Sequence, residues 1–111
     1  MFERGEIWLA DLNPSRGTEP GPVLIVQSQA LLDVEHPSTL IVPLTTNLVE
    51  DAEPLRIRVP ASGRLRRESD LVVDQIRAID NRRMVKGPLA HLEQDLMAQV
   101  REAIMETLDL I

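Results

Sequence analysis

Cysteine and histidine, two residue types that often act as nucleophiles, proton carriers or metal ligands, are scarce in this sequence. There is no cysteine among the 111 residues, which excludes disulfides, thiolate catalysis and cysteine-bound metals. Both histidines lie near turn-forming prolines, His36 directly before Pro37 and His91 three residues after Pro88. We therefore expect both to be surface residues, and we predict neither a metal site nor a bound cofactor.

The basic residues are concentrated in one stretch, and nearly all of them are arginines. Residues 55–83 contain eight arginines and four carboxylates, a net charge of +4 in a chain whose net charge is −6. The guanidinium group is a planar fork of donors that suits phosphate and carboxylate groups. The stretch predicts an anion-binding surface, and solvated strand faces are the alternative that the pattern leaves open.

The length and composition indicate one small globular domain over residues 1–111. Apolar residues make up 43% and charged residues 27% of the chain, which is typical of folded proteins. No segment is long and apolar enough to cross a bilayer, and no charged segment leads into an apolar one as in a signal peptide. We expect a cytoplasmic protein.

The elements that must position any functional residue are mostly short strands. Alternating or continuous apolar runs, bounded by Gly and Pro, predict strands at 5–12, 22–29, 38–47, 55–60 and 70–80. Pro43 predicts an edge or a bulge in the third strand, because proline has no amide hydrogen for the ladder. The segment 30–37 is ambiguous between a helical turn and a loop, and 13–22 and 48–54 are predicted as loops.

From His91 onward the apolar period changes to that of a helix. Leu92, Leu96 and Val100 follow a spacing of four, and Ile104 and Leu108 continue it, which predicts an amphipathic helix. A chain that is mainly β with one C-terminal helix is typical of a small, partly open β-barrel.

Four motifs in order resemble proteins of the MazF/PemK/Kid toxin family. They are ERGEIWLADLNPSRGTEP followed by PVLIVQS, then IVPLTTN, then DLVVDQIRAID, and finally the C-terminal helix. The resemblance implies an SH3-like β-barrel of the type shared by CcdB, MazF and PemK proteins, assembled as a homodimer. It also implies metal-independent cleavage of single-stranded RNA by attack of the ribose 2′-hydroxyl, neutralisation by an antitoxin, and operator DNA binding only as the toxin–antitoxin complex.

The resemblance also implies site residues. Thr46 matches the family's threonine at the end of the third strand, and Glu19 matches the acidic residue of its loop motif, so both are expected to be catalytic. Expected RNA contacts are Arg16, Thr45, Asn47, Asp74, Gln75 and Arg77. We further expect an acidic, partly apolar antitoxin peptide to bind the arginine-bearing surface of residues 55–83.

One departure from the family pattern leaves the activity open. Family members usually carry an arginine directly before the proline of the second strand, but here Gly21 precedes Pro22 and the loop is shorter. Either the loop arginine is lost, leaving a weakened nuclease or a non-catalytic binding module, or further residues with an arginine lie between Gly21 and Pro22. A toxin that poisons a protein target such as gyrase, as in the CcdB-like branch, is a third and less favoured hypothesis.

Overall fold

The fold is built around one antiparallel sheet that curls on itself. The computed structural model describes residues 2–13, 17 and 19–110. The strands are β1 (Glu6–Ala10), β2 (Gly21–Ile25), β3 (Ser38–Thr45), β4 (Arg56–Val59), β5 (Ser69–Val72), β6 (Arg77–Asp80) and β7 (Met84–His91). Two α-helices, α1 (Gln29–Asp33) and α2 (Gln94–Thr107), complete the fold, with 3₁₀ turns at Val73–Gln75 and Asn81–Arg83.

The strand order places β3 at the centre of the sheet. The hydrogen-bonded path runs β4-β5-β3-β2-β1-β7, and β6 also pairs with β3. β3 pairs along one edge with β2, and along the other first with β6 and then with β5. The predicted fold class, mainly β with a C-terminal helix, is confirmed.

Pro43 lies inside this central strand and not at an edge. It pairs with Val23 of β2, and it lies between Ile41, the last residue paired with β6, and Leu44, the first paired with β5. The missing amide hydrogen therefore falls where β3 changes partner, a position that tolerates an irregular ladder. The prediction that Pro43 marks an edge strand was wrong, because β3 is paired with other strands along both of its edges.

The predicted strand 70–80 is two strands separated by a 3₁₀ turn. Leu71, Val72 and Val73 are all buried, so the alternation expected for one continuous strand is absent. The turn Val73–Gln75 redirects the chain so that β5 and β6 pair with different parts of β3. β7 was not predicted, because Gly87 and Pro88 lie within it.

Two groups of buried side chains lie on opposite sides of the sheet. The larger includes Ile7, Leu24 and Val42 and packs against α2 through Val100 and Ala103. The smaller consists of Ala10, Val23, Ile25, Leu32, Ile41 and Ile79. Because side chains alternate along a strand, the two groups take alternate residues of β1, β2 and β3. This alternation decides on which side each candidate functional residue lies.

Candidate functional site

The end of β3 carries two adjacent threonines that face opposite sides of the sheet. Leu44 packs in the larger buried group and Ile41 in the smaller, so Thr46 continues the side of Leu44 and Thr45 continues the side of Ile41 and Pro43. Each side has its own cavity at this end of the molecule.

The first cavity, the Arg77 cleft, lies on the side of Thr45. It has a volume of about 390 Å³ and is lined by Leu12, Asn13, Pro43, Gln75, Ile76 and Arg77. Arg77 is exposed and donates a hydrogen bond from Nη2 to the Leu12 carbonyl oxygen at 2.9 Å. The cleft therefore presents two amide side chains, Asn13 and Gln75, and one cation beside the loop that connects β1 to β2.

The second cavity, the Arg66–Arg67 cleft, lies on the side of Thr46. It has a volume of about 370 Å³, and its polar rim carries Arg64, Arg66, Arg67 and Lys86 together with Thr46 and Ser69. Its floor is aliphatic and consists of Leu9, Pro22, Leu65 and Leu89. The two threonines predicted as neighbours in one site therefore belong to two different surfaces.

The two threonine hydroxyls also differ in their hydrogen bonds. Thr45 Oγ1 accepts a hydrogen bond from the Asn47 backbone N–H at 3.1 Å. A hydroxyl that accepts through its oxygen still has its own proton to donate. Thr46 is exposed, and within the described part of the chain its hydroxyl has no hydrogen-bond partner.

A buried ion cluster holds the segment that follows Thr45. Asp70, the cross-strand partner of Thr45, is 1% exposed and accepts from Arg58 Nε at 2.6 Å and from the Val49 N–H at 2.8 Å. Arg56 Nη1 lies 3.5 Å from Asp70 Oδ2 and donates to the Asn47 carbonyl oxygen at 3.1 Å. The cluster thus links the turn of Thr45 and Asn47 to two strands.

The charges of this cluster stabilise one another. Burial alone would raise the pKa of the Asp70 carboxyl, but the hydrogen bonds from Arg58 and Val49 and the charges of Arg58 and Arg56 outweigh it and hold that pKa below its ordinary value. The pKa of Arg58 is raised, chiefly by its hydrogen bond to Asp70. Both groups are therefore charged at neutral pH.

The arginines of residues 55–83 do not form one surface, which corrects the expectation drawn from their net charge. Arg56 and Arg58 are bound to Asp70. Arg82 is bound to its own neighbour Asp80, with Nη2 2.9 Å from Oδ2, and this hydrogen bond lowers the pKa of Asp80 to about 2. An acidic peptide binding across the whole stretch would therefore meet cations that are already neutralised.

The remaining predicted site residues lie in several places. Asp74 and Gln75 lie in the 3₁₀ turn before β6, both exposed. Asn47 is exposed in the turn after β3, and Glu19 is exposed two residues before Gly21. Arg16 lies outside the described residues. The structure thus brings Gln75 and Arg77 together on the side of Thr45, with Asp74 beside them in sequence.

The chain passes directly from Gly21 to Pro22 within β2. These residues pair with Ala10 and Leu9, two successive residues of β1. The residue that precedes this proline in β2 is therefore a glycine, which has no side-chain cation. Continuing the β2–β3 register by two residues brings Gly21 opposite Thr45, so a side chain at position 21 would face the side of Thr45 and not that of Thr46.

Sequence reasoning did not predict that Lys86 lines the same cavity as Arg64, Arg66 and Arg67. These arginines were counted in the charge of the stretch, but nothing local shows that the turn carrying them faces β7. Lys86 pairs with Leu9 of β1, and β7 itself was not predicted. Its strand could have been suspected only from the apolar residues that flank Gly87 and Pro88.

The described residues contain neither a metal-site cluster nor a membrane-spanning helix. Within residues 2–13, 17 and 19–110, no cluster of His, Asp or Glu has the arrangement of a metal site. No helix in this part of the chain is long and apolar enough to span a membrane. His91 is exposed, with Nε2 3.9 Å from Glu3 Oε2, and His36 is exposed as well, as predicted for both.

Comparison with known proteins gives consistent matches over nearly the whole chain. A family model for PemK-like, MazF-like toxins of type II toxin–antitoxin systems matches residues 3–108. Endoribonuclease EndoA of Bacillus subtilis is 30% identical over 115 aligned positions that cover 100% of this chain and 97% of the relative.

Solved structures share the fold at lower identity. Toxin MazF-mt6 of Mycobacterium tuberculosis superposes with a TM-score of 0.78 at 21% identity, covering 94% of this chain and 96% of that one. A MazE–MazF complex of Deinococcus radiodurans gives 0.76 at 20% identity, covering 96% and 94%. A mycobacterial endoribonuclease in complex with its cognate antitoxin gives 0.78 at 21%, covering 100% and 98%.

Proposed function

Because this chain belongs to the family of PemK-like, MazF-like toxins of type II toxin–antitoxin systems, we propose that it is an endoribonuclease acting on single-stranded RNA in the Arg77 cleft. The relative from Bacillus subtilis bears the name endoribonuclease and aligns with the whole of this chain. We also propose that an antitoxin neutralises it and that it acts as a homodimer.

The observation that carries the proposal is the side of the sheet on which Thr45 lies. Thr45 shares this side with the Arg77 cleft and with position 21, which precedes the proline of β2. The family pattern pairs an arginine before this proline with a threonine at the end of the third strand. Only Thr45 faces the same side as position 21, so we assign the catalytic role to Thr45 and not to the predicted Thr46.

In the proposed reaction the nucleophile belongs to the substrate. The ribose 2′-oxygen attacks the adjacent phosphorus and loses its proton to a base, while the bond from phosphorus to the 5′-oxygen breaks and that oxygen takes up a proton from water. The products are a 2′,3′-cyclic phosphate and a 5′-hydroxyl. Thr45 donates a hydrogen bond from its hydroxyl to a non-bridging phosphate oxygen, and the Arg77 guanidinium offsets the charge that develops there.

The other predicted residues have supporting roles in this proposal. Glu19, exposed at the entrance to β2, is the proposed proton acceptor. Asp74, Gln75 and Asn47 are the proposed contacts to bases and ribose, and Arg16 of the β1–β2 loop is a proposed phosphate contact. Binding of operator DNA is proposed only for the complex with antitoxin, because the chain alone carries a net charge of −6.

A second candidate function rests on Gly21. The residue before Pro22 carries no cation here, so Arg77 is the only cation among the described residues that line the cleft. Loss of one such donor costs about a hundredfold to a thousandfold in rate. A domain with that loss is a binding module that holds antitoxin without cleaving RNA at a useful rate.

The adjacent threonines provide a matched test. Purified protein is incubated with a long single-stranded RNA in EDTA, and the ends are mapped; cleavage should persist and yield cyclic phosphate ends. Thr45→Val should reduce kcat by about a hundredfold, because it removes one donor to the developing charge, whereas Thr46→Val and Thr45→Ser should remain within a few-fold of the parent.

Each other result counts against a defined part of the proposal. Equal loss in both valine variants would reject the assignment of Thr45, and loss in Thr46→Val alone would return the site to the opposite face. No cleavage by the parent protein, combined with antitoxin binding, would favour the binding module. Activity abolished by EDTA and restored by magnesium would reject the metal-independent reaction.

A further inference from the structure

A groove between α2 and β4 is apolar at its floor and acidic at its rim. It has a volume of about 380 Å³, and it shares no lining residue with the Arg77 cleft or the Arg66–Arg67 cleft. We propose that this α2 groove binds a basic segment of a partner protein in which lysine or arginine alternates with aliphatic residues. Its lining residues are Glu53, Pro54, Ile57, Ala98, Gln99, Glu102, Ala103 and Glu106.

The floor of the α2 groove is continuous with the larger group of buried side chains. Ile57 of β4 and Ala103 of α2 both belong to that group, and each is less than a tenth exposed. Pro54 of the β3–β4 loop is half-buried, and Ala98 of α2 is exposed. None of these side chains carries a polar group, so aliphatic side chains of a ligand can cover them without leaving a side-chain donor or acceptor unpaired.

The rim of the α2 groove carries three carboxylates. Glu102 and Glu106 lie one turn apart on α2, and Glu53 lies on the β3–β4 loop. All three are exposed, and none forms an ion pair with a cation in the part of the chain that the structure describes, residues 2–13, 17 and 19–110. These charges attract a cationic ligand and repel RNA and other polyanions.

Two of these carboxylates lie where they oppose the stability of the helix. Glu106 is in the last turn of α2, at the negative end of the helix dipole, and that turn contains no basic residue. Glu102 and Glu106 also form a like-charged pair at a spacing of four, which is unfavourable on a helix surface. A cation bound between them relieves both repulsions, so this pair gains more from a cationic ligand than an isolated carboxylate would.

The spacing of the carboxylates suits an extended segment. Residues four apart on a helix have Cβ atoms about 5–6 Å apart. In an extended peptide, residues on one face recur every two positions, about 6.7 Å apart, so two alternate lysines can reach Glu102 and Glu106 together. The intervening aliphatic side chains point the opposite way, toward the floor, while the long lysine side chains bend back to the rim.

A synthetic peptide tests the α2 groove without any RNA. The probe is a short fluorescein-labelled peptide of alternating lysine and leucine, and its binding is followed by fluorescence anisotropy. Glu102→Gln with Glu106→Gln should raise its Kd by about tenfold, because two charge pairs are lost while the shape of both side chains is kept. Glu35→Gln with Glu68→Gln removes the same formal charge at exposed positions elsewhere and should change the Kd by less than about twofold.

The apolar floor has its own measurements. A peptide with serine in place of leucine should bind the parent protein several-fold more weakly. Ala98→Trp fills the groove from an exposed helix position and should raise the Kd of the lysine–leucine probe by at least about tenfold. Spermine, a polyamine without aliphatic side chains, should bind at least about tenfold more weakly than the probe, as judged by competition.

Four results would each overturn the proposal. They are an unchanged Kd in the double glutamine variant, an unchanged Kd in Ala98→Trp, equal binding of the serine peptide, and displacement of the probe by an equal concentration of spermine, which would make the groove a polyamine site. The parent and the double glutamine variant should also sediment alike. A change in oligomeric state would make the groove a contact between copies of this chain and reject the partner segment.

The α2 groove is independent of the proposed cleavage. Thr45→Val, inactive in that reaction, should bind the probe as the parent does, and the double glutamine variant should cleave RNA within about threefold of the parent rate, because its substitutions lie outside the Arg77 cleft. A loss of cleavage as large as the loss of peptide binding would reject a separate site. If the parent protein cleaves no RNA but binds the probe as expected, the nuclease proposal fails and this one stands.

Discussion

Two pairs of arginines from the same stretch of sequence lie in contrasting electrostatic environments. Arg56 and Arg58 point into the ion cluster of Asp70, where both are partly buried and their charges are balanced. Arg66 and Arg67 are exposed at the rim of a cavity, and neither has a carboxylate partner among the described residues. The first pair stabilises the turn that carries Thr45, whereas the second is available to a ligand.

The difference shows that the charge of an arginine is available at the surface only where no carboxylate of the chain neutralises it. Both pairs contribute equally to the net charge of +4, and that number alone predicts one continuous anion-binding surface. The cross-strand register assigns Asp70 to Arg58 directly and places Val72 opposite Arg56. A single buried carboxylate thus removes two cations from the surface that the sequence predicts.

The largest effect on stability should follow from removing the carboxylate of the first pair. Asp70→Ala leaves Arg58, Arg56 and the Val49 N–H without their partner, and breaking a buried ion pair in this way costs about 3–5 kcal/mol. Urea unfolding measures the change. Glu50→Ala is the control, because its pair with Arg58 is exposed and should contribute about 0–1 kcal/mol. Similar small losses in both variants would show that the cluster does not hold the fold.

A smaller loss should come from straining the turn of the second pair. Gly63→Ala forces a Cβ against the Leu89 oxygen at a positive φ, which costs about 1–3 kcal/mol in the free energy of unfolding. Gly21→Ala is the matched control, because its added Cβ meets no atom within 4 Å. If the two variants unfold at the same urea concentration, the turn is not held as described.

The two aspartates that bind arginines should contribute differently to the pH dependence of the free energy of unfolding. The folded-state pKa of Asp70 and of Asp80 is lowered, so each contributes stability that is complete above the unfolded value near 3.8 and is lost as the pH falls through the folded value, about 2 for Asp80. Between pH 6 and pH 2.5, Asp70→Asn should flatten the pH dependence of the free energy of unfolding. Asp80→Asn should alter it little, because the Asp80–Arg82 pair is exposed to solvent.

The smallest change in stability is expected at the cleft arginines themselves. Arg66→Ala with Arg67→Ala should alter the free energy of unfolding by less than about 0.5 kcal/mol per residue, as for exposed side chains without partners. Arg58→Ala, from the first pair, should lose several times more because it leaves Asp70 buried with one partner fewer. Equal losses would remove the distinction between the two pairs.

Local patterns predicted much of the fold because they depend on neighbouring residues only. The alternation of Arg56 to Val59 and the spacing from Leu92 to Leu108 correspond to β4 and α2. The turn at Val73–Gln75 and the strand β7 were missed because each is stabilised by its partners. Val73 is buried against the core that includes α2, and β7 forms on β1 despite Gly87 and Pro88.

The sequence by itself determined the first four strands, the final helix, the family resemblance and the residue types of the site. Only the tertiary structure decided which of Thr45 and Thr46 lies on the same side of the sheet as the Arg77 cleft, since one step along a strand reverses the side on which a residue lies. It also decided which arginines are neutralised, because Asp70 reaches Arg58 across a strand pair and not along the chain. Both the side on which each threonine lies and the neutralisation of the arginines depend on pairing between distant segments, which no local sequence pattern predicts.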